Sequence, residues 1–246
     1  MRKIEIDKAP ARLDFIQSGT GLLLALFMWA HMFFVSTILL GKDVMYDVTR
    51  FFEGYYFFGE SYPSVVAIIA GLIFFIFIAH AAVAMRKFPS NYKQYKIMKE
   101  HIQSFKHSDT KLWFWQIFTG FAMFFLGSIH LYIIMTHPAE IGPYASSDRV
   151  VTEWMWPLYI LLLLAVELHG SIGMYRLALK WGWFEGKDAK VSRKKLKKIK
   201  YIITIFFLTL GFLTLAAYIK IGLEHKDNAG ERYHPTEISS TQGVVK

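Results

Sequence analysis

Four histidines interrupt long apolar stretches of the chain, one in each stretch: His31, His80, His130 and His169. If the stretches are helices that rise about 1.5 Å per residue, two of these histidines lie roughly 10 Å from the cation-rich end and two roughly 25 Å from it. Neutral imidazole ligates metals, and a haem that transfers electrons takes two axial nitrogens on opposite faces of its ring. Equal depth pairs His80 with His169. It also pairs His31 with His130, and the two layers predict two bis-histidine b-type haems.

Other uses of these histidines stay open. A single histidine in an apolar helix is often a polar packing residue that bonds a neighbouring helix, and a haem-free transporter would use such residues as proton relays. A zinc or copper site is disfavoured, because its ligands would have to converge at one depth. Small residues beside the histidines would let a macrocycle approach the backbone, although they suit helix packing equally well: Ala79, Ala81, Gly127, Ser128, Gly170 and Ser171.

A carboxylic acid, Glu167, lies two residues before His169. A charged carboxylate inside a membrane costs on the order of 3 kcal/mol, so we expect it to be paired, hydrated or protonated. Positions two apart differ by about 200° around a helix, so Glu167 does not point at the iron that His169 would bind. The residue is then either a buried neutral acid hydrogen-bonded to a neighbour or a relay for protons.

The elements that must hold these side chains are membrane helices. Hydrophobic residues make up 54% of the 246 residues, and the uncharged runs approach or exceed the roughly 20 residues that cross a hydrocarbon core. We therefore predict an all-α integral membrane protein with a single domain over residues 1–246 and a helical bundle that encloses the two haems. The five predicted transmembrane helices lie at about 20–41, 63–86, 113–136, 152–180 and 200–221.

Positive charge is distributed unevenly between the segments that connect these helices. Twenty Lys and Arg residues fall in residues 1–19, 86–112 and 180–200, against six in the alternate segments. This asymmetry predicts a bacterial inner-membrane protein with a cytoplasmic N-terminus and a periplasmic C-terminus. The run RKKLKKIK at 193–200 is interpreted as a topogenic and lipid-binding segment rather than a nucleic-acid site.

The remaining features are interpreted more simply. No cleavable signal is visible, and without cysteine the chain is expected to hold no disulfide, thiolate ligand or iron–sulfur cluster. The tail after residue 225 is expected to be a polar, mobile extension. Five histidines in loops or the tail are expected to be exposed to solvent: His101, His107, His137, His225 and His234.

Haem propionates need cationic or hydrogen-bonding partners near the membrane surface. Lys87, Arg176 and Lys180 flank the inner histidine layer, and Arg149 lies near the outer one. Trp113 has an indole N–H to offer at an interfacial position. Interfacial anchoring explains each of these residues as well as haem contact does.

Several stretches make the chain resemble a known family. They are MFFVSTILLG (32–41), FIAHA with AMRKFP (77–89), TGFAMFFLGSIHLYIIMT (119–136), TEWMWPLYI (152–160) and AVELHGSIGMYRLALKWGWF (165–184). These stretches resemble the dihaem cytochrome b membrane subunit of epsilonproteobacterial and related quinol:fumarate reductases, which belong to the succinate:quinone oxidoreductases. The match spans about residues 10–225 and contains the four intramembrane histidines in order.

The resemblance implies the same two ligand pairs, with menaquinol as the substrate. It implies a cytoplasmic iron–sulfur subunit and a flavoprotein subunit as partners, and we expect a dimer of such heterotrimers. Glu53, which would otherwise be an ordinary loop acid, matches a glutamate implicated in menaquinol oxidation near the distal haem. By the same resemblance, propionate contacts fall on Gln17, Ser18, Trp113, Arg149 and Lys180.

The resemblance favours the proton relay for Glu167. Menaquinol oxidised near the outer face would release protons outside while its electrons move inward, and a glutamate that carries protons inward would cancel that charge transfer. Two other functions stay open: the same subunit operating as a succinate:quinone reductase, and a stand-alone transmembrane cytochrome b that passes electrons between soluble donors and acceptors.

Overall fold

The computed structural model describes residues 7–104 and 108–235, and its regular elements within those ranges are all helical. Five of the helices are long and apolar enough to cross a membrane, which confirms the predicted number. They are α1 (Ala9–Ser36), α4 (Pro63–Met85), α6 (Ser108–Thr136), α8 (Trp156–Lys180) and α9 (Ala189–His225). The shorter helices are α2 (Lys42–Phe52), α3 (Tyr55–Phe58), α5 (Tyr92–Ser104) and α7 (Pro143–Val151).

Four of the long helices enclose the centre of the bundle. Helix α1 packs against α4, α4 against α6, α6 against α8, and α8 against α1, so the four close into a ring. Helix α9 packs against α8 and α1 from outside the ring. In such a ring α1 faces α6 across one diagonal, and α4 faces α8 across the other.

The surface of the bundle is apolar, and several polar side chains lie inside it. Phe75, Ile68 and Ile205 are 73%, 71% and 64% exposed, whereas Thr204 and Ser171 are buried. The hydroxyl of Thr204 donates to the Ser171 hydroxyl at 2.7 Å, and this bond ties α9 to α8. A lipid solvent accounts for the pattern, since apolar side chains can face hydrocarbon whereas polar groups need partners within the protein.

Several helices run past the apolar spans predicted from the sequence. Helix α1 begins at Ala9 rather than near 20, and α9 covers Ala189–His225 rather than 200–221. The extra turns are stable because their charged groups are paired or capped. Asp188, for example, accepts the backbone N–H groups of Lys190 and Val191 at the start of α9. Helix α8 instead begins late, at Trp156 rather than 152, because Trp154 takes a left-handed φ of 56°.

Charged groups gather where α1 begins, and we call this the basic end of the bundle. Asp14 on α1 forms ion pairs there with Arg86, Lys87 and Lys180. At the other end, which we call the opposite end, α2, α3 and α7 cover the bundle. A 3-10 turn extends α1 to Leu40, and Gly41 with φ 125° then redirects the chain into α2.

The end of the chain differs from the sequence prediction. His225, expected to be exposed, is 7% exposed and bonds Asp148 through its Nδ1 at 3.0 Å. In the segment after it, expected to be mobile, the Arg232 side chain donates to the carbonyl of Ala139 at the opposite end. The exposure of His225 was wrongly predicted because polar composition does not reveal a partner on another helix of the same bundle. Residues 236–246 lie outside the described ranges.

Of the other four histidines that were predicted to be exposed, two are exposed and two cannot be compared. His137 and His234 are exposed. His101 and His107 fall where the side chains are outside the described part of the structure. Between α4 and α6, the segment expected to be a loop contains α5.

Candidate functional site

The four intramembrane histidines meet as two pairs, each on one diagonal of the four-helix bundle. The rings of His80 on α4 and His169 on α8 have centroids 6.4 Å apart. The rings of His31 on α1 and His130 on α6 have centroids 6.1 Å apart. These are the pairs that depth along the helices predicts, and the diagonal placement directs all four side chains to the centre of the bundle.

Both separations fit an iron held between two imidazoles. A metal–nitrogen bond of about 2 Å on each side places two ring centroids about 6 Å apart. The ring planes are perpendicular in the His80 pair and tilted by 55° in the His31 pair. Both angles are compatible with axial ligation, because two planes that share the ligand axis can be rotated freely about it. Within the described residues no three His, Cys, Asp or Glu side chains converge, so each pair fits a macrocycle metal better than a metal held by protein alone.

Hydrogen bonds fix the orientation of the His80–His169 pair, which lies nearer the basic end. The Nδ1 of His80 is 3.0 Å from the Thr20 hydroxyl, and the Nδ1 of His169 is 2.9 Å from the carbonyl oxygen of Gln116. A histidine whose Nδ1–H is bonded in this way keeps Nε2 free as a ligand, with the ring orientation set. Thr20 and Gln116 were not identified from the sequence; Thr20 directly precedes Gly21, and Gln116 lies one turn before Gly120.

A glycine on the neighbouring helix packs against each ring of this pair. A Cβ on Gly21 would lie 2.9 Å from Cε1 of His80, and a Cβ on Gly120 would lie 2.7 Å from Cε1 of His169. Any larger residue would displace the imidazoles, so these glycines supply the close approach that the ligand positions require.

Three of the six small residues that the sequence singled out contact a neighbouring helix. A Cβ on Gly127 would lie 3.4 Å from Phe77, and one on Gly170 would lie 3.1 Å from Met28. The Ser171 hydroxyl accepts a hydrogen bond from Thr204 of α9. These three contacts are of the kind that helix packing requires.

The His31–His130 pair lies nearer the opposite end and is less extensively bonded. His31 stacks on Phe27 with centroids 5.7 Å apart, and His130 packs edge-on against Tyr159 at 5.6 Å. Among the described residues, the buried Nδ1 of His130 has no hydrogen-bond partner. Arg149 of α7 lies beside Tyr159 and close to His130.

Arg149 is a buried cation with incomplete pairing. It is 3% exposed, its Nη2 donates to the carbonyl of Glu140 at 2.6 Å, and the Glu140 carboxylate is 3.6 Å away. The Nε–H has no partner within the described part of the chain. Tyr159, which packs on His130, is the contact of Arg149 on this side, and a buried guanidinium with a free donor there suits an anionic group.

The predicted propionate contacts of the inner layer also come together. Lys180 donates to the Ser18 hydroxyl at 2.9 Å and forms an ion pair with Asp14, a residue that sequence reasoning missed. Gln17 is the neighbour of Ser18, and its buried Oε1 is unpaired among the described residues. Trp113 and Lys180 line the same cavity of about 820 Å³, which opens between α5, α6 and α8.

Glu167 occupies a different face of α8 from His169. It is 1% exposed, and Ser171 one turn later bonds Thr204 of α9, so this face is turned toward α9 and α1. The indole of Trp29 lies beside the carboxyl group. Neither carboxylate oxygen nor the indole N–H makes a hydrogen bond of regular geometry in the described ranges, yet the indole is adjacent to the carboxyl group, so both interpretations of Glu167 stay open. Adjacent unpaired polar groups leave hydrogen-bonding capacity for water or a moving proton.

Glu53 lies at the end of α2, where a left-handed Gly54 turns the chain into α3. Its carbonyl accepts the N–H of Tyr62. The neighbouring Phe52 packs against Phe34 with ring centroids 4.8 Å apart. Phe34 follows His31 by one turn of α1, so Glu53 adjoins a residue that packs on the helix of His31.

The known proteins that this chain resembles are consistent with the paired histidines inside the bundle. A family model described as the succinate dehydrogenase/fumarate reductase transmembrane subunit matches residues 92–210, which include His130 and His169. The fumarate reductase cytochrome b subunit of Wolinella succinogenes is 58% identical over 220 residues, which cover 89% of this chain and 86% of that protein. The chain belongs to the family of fumarate reductase cytochrome b subunits. The subunits of this name from two strains of Helicobacter pylori are 57% and 56% identical over 218 residues, 89% of this chain and 84% of each relative.

We predict that Gly120→Ala in this cytochrome b subunit displaces His169 and weakens or abolishes haem binding at the inner pair, because the added Cβ would lie 2.7 Å from the imidazole. Reduced-minus-oxidised spectra of the purified complex measure the haem content. Gly71→Ala is the matched control, since its Cβ would meet only Met135 at an ordinary 3.7 Å. Equal haem content in the two variants would contradict the role of Gly120.

Proposed function

We propose that this chain is the membrane-anchor and electron-transfer subunit of a bacterial inner-membrane menaquinol:fumarate reductase. The arrangement that supports this most directly is the two histidine pairs, one behind the other along the bundle, on the two diagonals of the ring. The names of the relatives support fumarate as the final acceptor. Fumarate would be reduced on a partner flavoprotein, so this chain would carry the quinol site rather than the dicarboxylate site.

Two haems b, when bound, supply the one-electron carriers between quinol and the partner subunits. His80 and His169 would hold the proximal haem, with Thr20 and Gln116 orienting their rings. A propionate offers only acceptor oxygens. Gln17 would therefore contact it through its amide N–H groups rather than through its unpaired Oε1. Ser18, Trp113 and Lys180 would complete that contact.

His31 and His130 would hold the distal haem at the opposite end. The partly unpaired guanidinium of Arg149 would contact its propionates, which supply the anionic oxygens that the free Nε–H requires. In this arrangement Arg149 offsets negative charge inside the bundle, where an unpaired cation would otherwise be costly.

The charge asymmetry of the sequence supports a cytoplasmic basic end and a periplasmic opposite end. Quinol would then be oxidised on the periplasmic side, where Glu53 is linked through Phe52 and Phe34 to the helix of His31. Glu53 would accept a proton from a quinol hydroxyl as the electrons leave, which is general-base catalysis by a carboxylate.

Glu167 would balance the charge that this reaction moves. Oxidation of one menaquinol releases two electrons and two protons, and reduction of fumarate to succinate consumes two of each on the other side of the membrane. Electrons moving inward alone would each work against about 2.3 kcal/mol per 100 mV of membrane potential. Glu167, buried between α8, α1 and α9 with free oxygens, would carry protons inward with them and remove that cost.

The partners would bind at the cytoplasmic basic end. An iron–sulfur subunit would accept electrons there and pass them to the flavoprotein, and we expect the assembly to be a dimer of heterotrimers in a lipid membrane. The reaction direction depends on the potentials of quinone and dicarboxylate, so the same subunit would also serve succinate oxidation. Co-purification of both partners separates this proposal from a stand-alone cytochrome b, and the mass of the purified complex tests the stoichiometry.

We predict that alanine variants of the four histidines remove haem in pairs. His80→Ala and His169→Ala should lose one low-spin centre, and His31→Ala and His130→Ala should lose the other, because a single imidazole cannot supply both axial ligands. Redox titration of the purified complex, followed by its optical spectra, measures the two midpoints.

The exposed His137 provides the matched control, and His137→Ala should keep both centres. Retention of both centres in all four intramembrane variants would refute the ligand pairs. Loss of both centres in each variant would refute two separate sites.

We predict that Glu167→Gln keeps both haems yet abolishes menaquinol-driven fumarate reduction, because an amide cannot carry the proton. Glu53→Gln should also keep both haems and slow quinol oxidation at least about tenfold, within the usual range for losing a general base. The rates are measured with the complex in liposomes, and a soluble dye that reduces the partner subunits directly should support wild-type rates in both variants.

Glu60→Gln is the control for Glu53, since Glu60 is an exposed acid of the same segment. Full quinol-driven activity in Glu167→Gln would refute the relay. Full activity in Glu53→Gln would refute the proposed quinol role alone.

We predict that single cysteines placed at the two ends react from opposite sides of the membrane. The natural chain has no cysteine, so each engineered thiol is the only target in this subunit. A membrane-impermeant maleimide should label Glu60→Cys from the periplasm and Lys187→Cys only after the inner membrane is opened. The reverse order of labelling would overturn the proposed orientation.

A further inference from the structure

We propose that the Asp148–His225 pair is a positioning device that holds α7 so that Arg149 is aimed at the outer histidine pair. The inference deepens the proposed function and rests on it, because the group that Arg149 would contact is the propionate of the distal haem. Neither Asp148 nor His225 would touch that haem; both would act through Arg149.

The pair itself is buried and joins two elements far apart in the sequence. The Nδ1–H of His225, the last residue of α9, donates to Oδ1 of Asp148 on α7 at 3.0 Å, and the two side chains are 7% and 10% exposed. The other carboxylate oxygen of Asp148 accepts the N–H of Gly230 at 3.0 Å. Tyr144 stacks on the imidazole with ring centroids 3.9 Å apart and an interplanar angle of 17°. A buried charge with this many ordered partners has a defined position.

Close backbone packing makes α7 and α9 a tightly fitted unit around this pair. A Cβ on Gly222 of α9 would lie 2.6 Å from both the carbonyl oxygen of Ser147 and Cγ2 of Val151. Ser147 is completely buried, and Val150 is 4% exposed. Helix α7 has only nine residues, so its position depends on such contacts rather than on its own stability.

Asp148 and Arg149 are adjacent in sequence and point in different directions. Asp148 meets α9 and the segment after it, whereas Arg149 lies beside Tyr159 and close to His130. Consecutive residues differ by about 100° around a helix, so fixing one side chain sets the rotation of α7 and thereby the direction of the other. The guanidinium is otherwise held by the carbonyl and carboxylate of Glu140 and by its contact with Tyr159.

The segment after α9 closes over the pair from the solvent side. The Tyr233 hydroxyl donates to Asp43 of α2 at 2.5 Å, and its ring packs edge-on against Tyr144 at 5.1 Å. Burial and the bond to Asp43 raise the pKa of Tyr233 to about 12, so the phenol remains a donor well above neutral pH. Lys42 donates to the Tyr144 hydroxyl at 3.2 Å. The Nε2 of the imidazole is buried and has no hydrogen-bond partner among the described residues.

Two variants of His225 separate the contribution of its hydrogen bond to Asp148 from that of its stacking on Tyr144. His225→Phe keeps a ring against Tyr144 and removes the donor, whereas His225→Asn keeps a donor near the position of Nδ1 and removes the ring. In the purified complex, His225→Phe should lower the midpoint of the distal haem alone, because a displaced cation stabilises the reduced state less. We expect about a tenfold change in its oxidised-to-reduced ratio, which for one electron is 59 mV. His225→Asn should restore at least half of the shift.

Two further variants show whether the effect passes through Arg149. Arg149→Gln should lower the same midpoint, and the double variant with His225→Phe should match Arg149→Gln alone. His234→Phe, at an exposed histidine of the same segment, should leave both midpoints unchanged. Equal shifts of both haems, no shift in His225→Phe, or additive effects in the double variant would overturn the proposal. If His225→Phe loses the distal haem, His225→Asn must restore it, and failure to do so would also overturn it.

A measurement that needs no haem tests the hold on α7 directly. A single cysteine at the buried position Val150 should react with maleimide several-fold faster when His225→Phe is added, and unchanged reactivity would count against the positioning role. If the proposed function fails, the wild-type complex itself will lack a haem that depends on His31 and His130. If only the positioning fails, both haems will be present and the distal midpoint will not respond to His225→Phe.

Discussion

The structure depends on one constraint: polar side chains inside a lipid-facing bundle must find their partners within the protein. In the bundle of α1, α4, α6 and α8, His80 and His169 find such partners in Thr20 and Gln116, and the four histidines lie on two diagonals with centroids 6.1 and 6.4 Å apart. Imidazoles at such separations are too far apart to bond each other and are well spaced for a shared metal. The helix that carries no intramembrane histidine, α9, lies outside the ring.

The two ends of the bundle hold the ring together by different means. At the basic end, Asp14 forms ion pairs with Arg86 and Lys87, which directly follow α4, and with Lys180 of α8. Asp109 accepts a hydrogen bond there from Lys197 of α9 at 2.9 Å. Exposed pairs of this kind contribute little individually, but together they join the helix ends near the interface. At the opposite end, close packing of α7 on Gly222 and the buried Asp148–His225 pair perform this task. The seam between α8, α1 and α9 contains Glu167 beside Trp29, and within the described ranges neither the carboxylate oxygens nor the indole N–H makes a hydrogen bond of regular geometry.

Much of the architecture followed from the sequence because a bilayer imposes strong rules. Runs of apolar residues predicted the five long helices, and spacing along them predicted which histidines would share a level. The helix ends were less predictable, since Ala9 and Ala189 begin helices within charged segments that are stabilised by caps and ion pairs. Residues such as Thr20, Gln116 and Asp14 were missed because an ordinary polar residue gives no signal until its partner on another helix is known.

The sequence by itself determined the class of protein, the number of long helices and the pairing of the histidines by depth, because apolar length and residue rise are one-dimensional quantities. The tertiary structure decided which helix faces which, and therefore that the pairs lie on diagonals, that Gly21 and Gly120 approach the rings, and that Glu167 faces α9. It also decided that His225 is buried rather than exposed. That burial arises from contacts with Asp148 and Tyr144, which lie far away along the chain and become neighbours only when α7 folds onto α9.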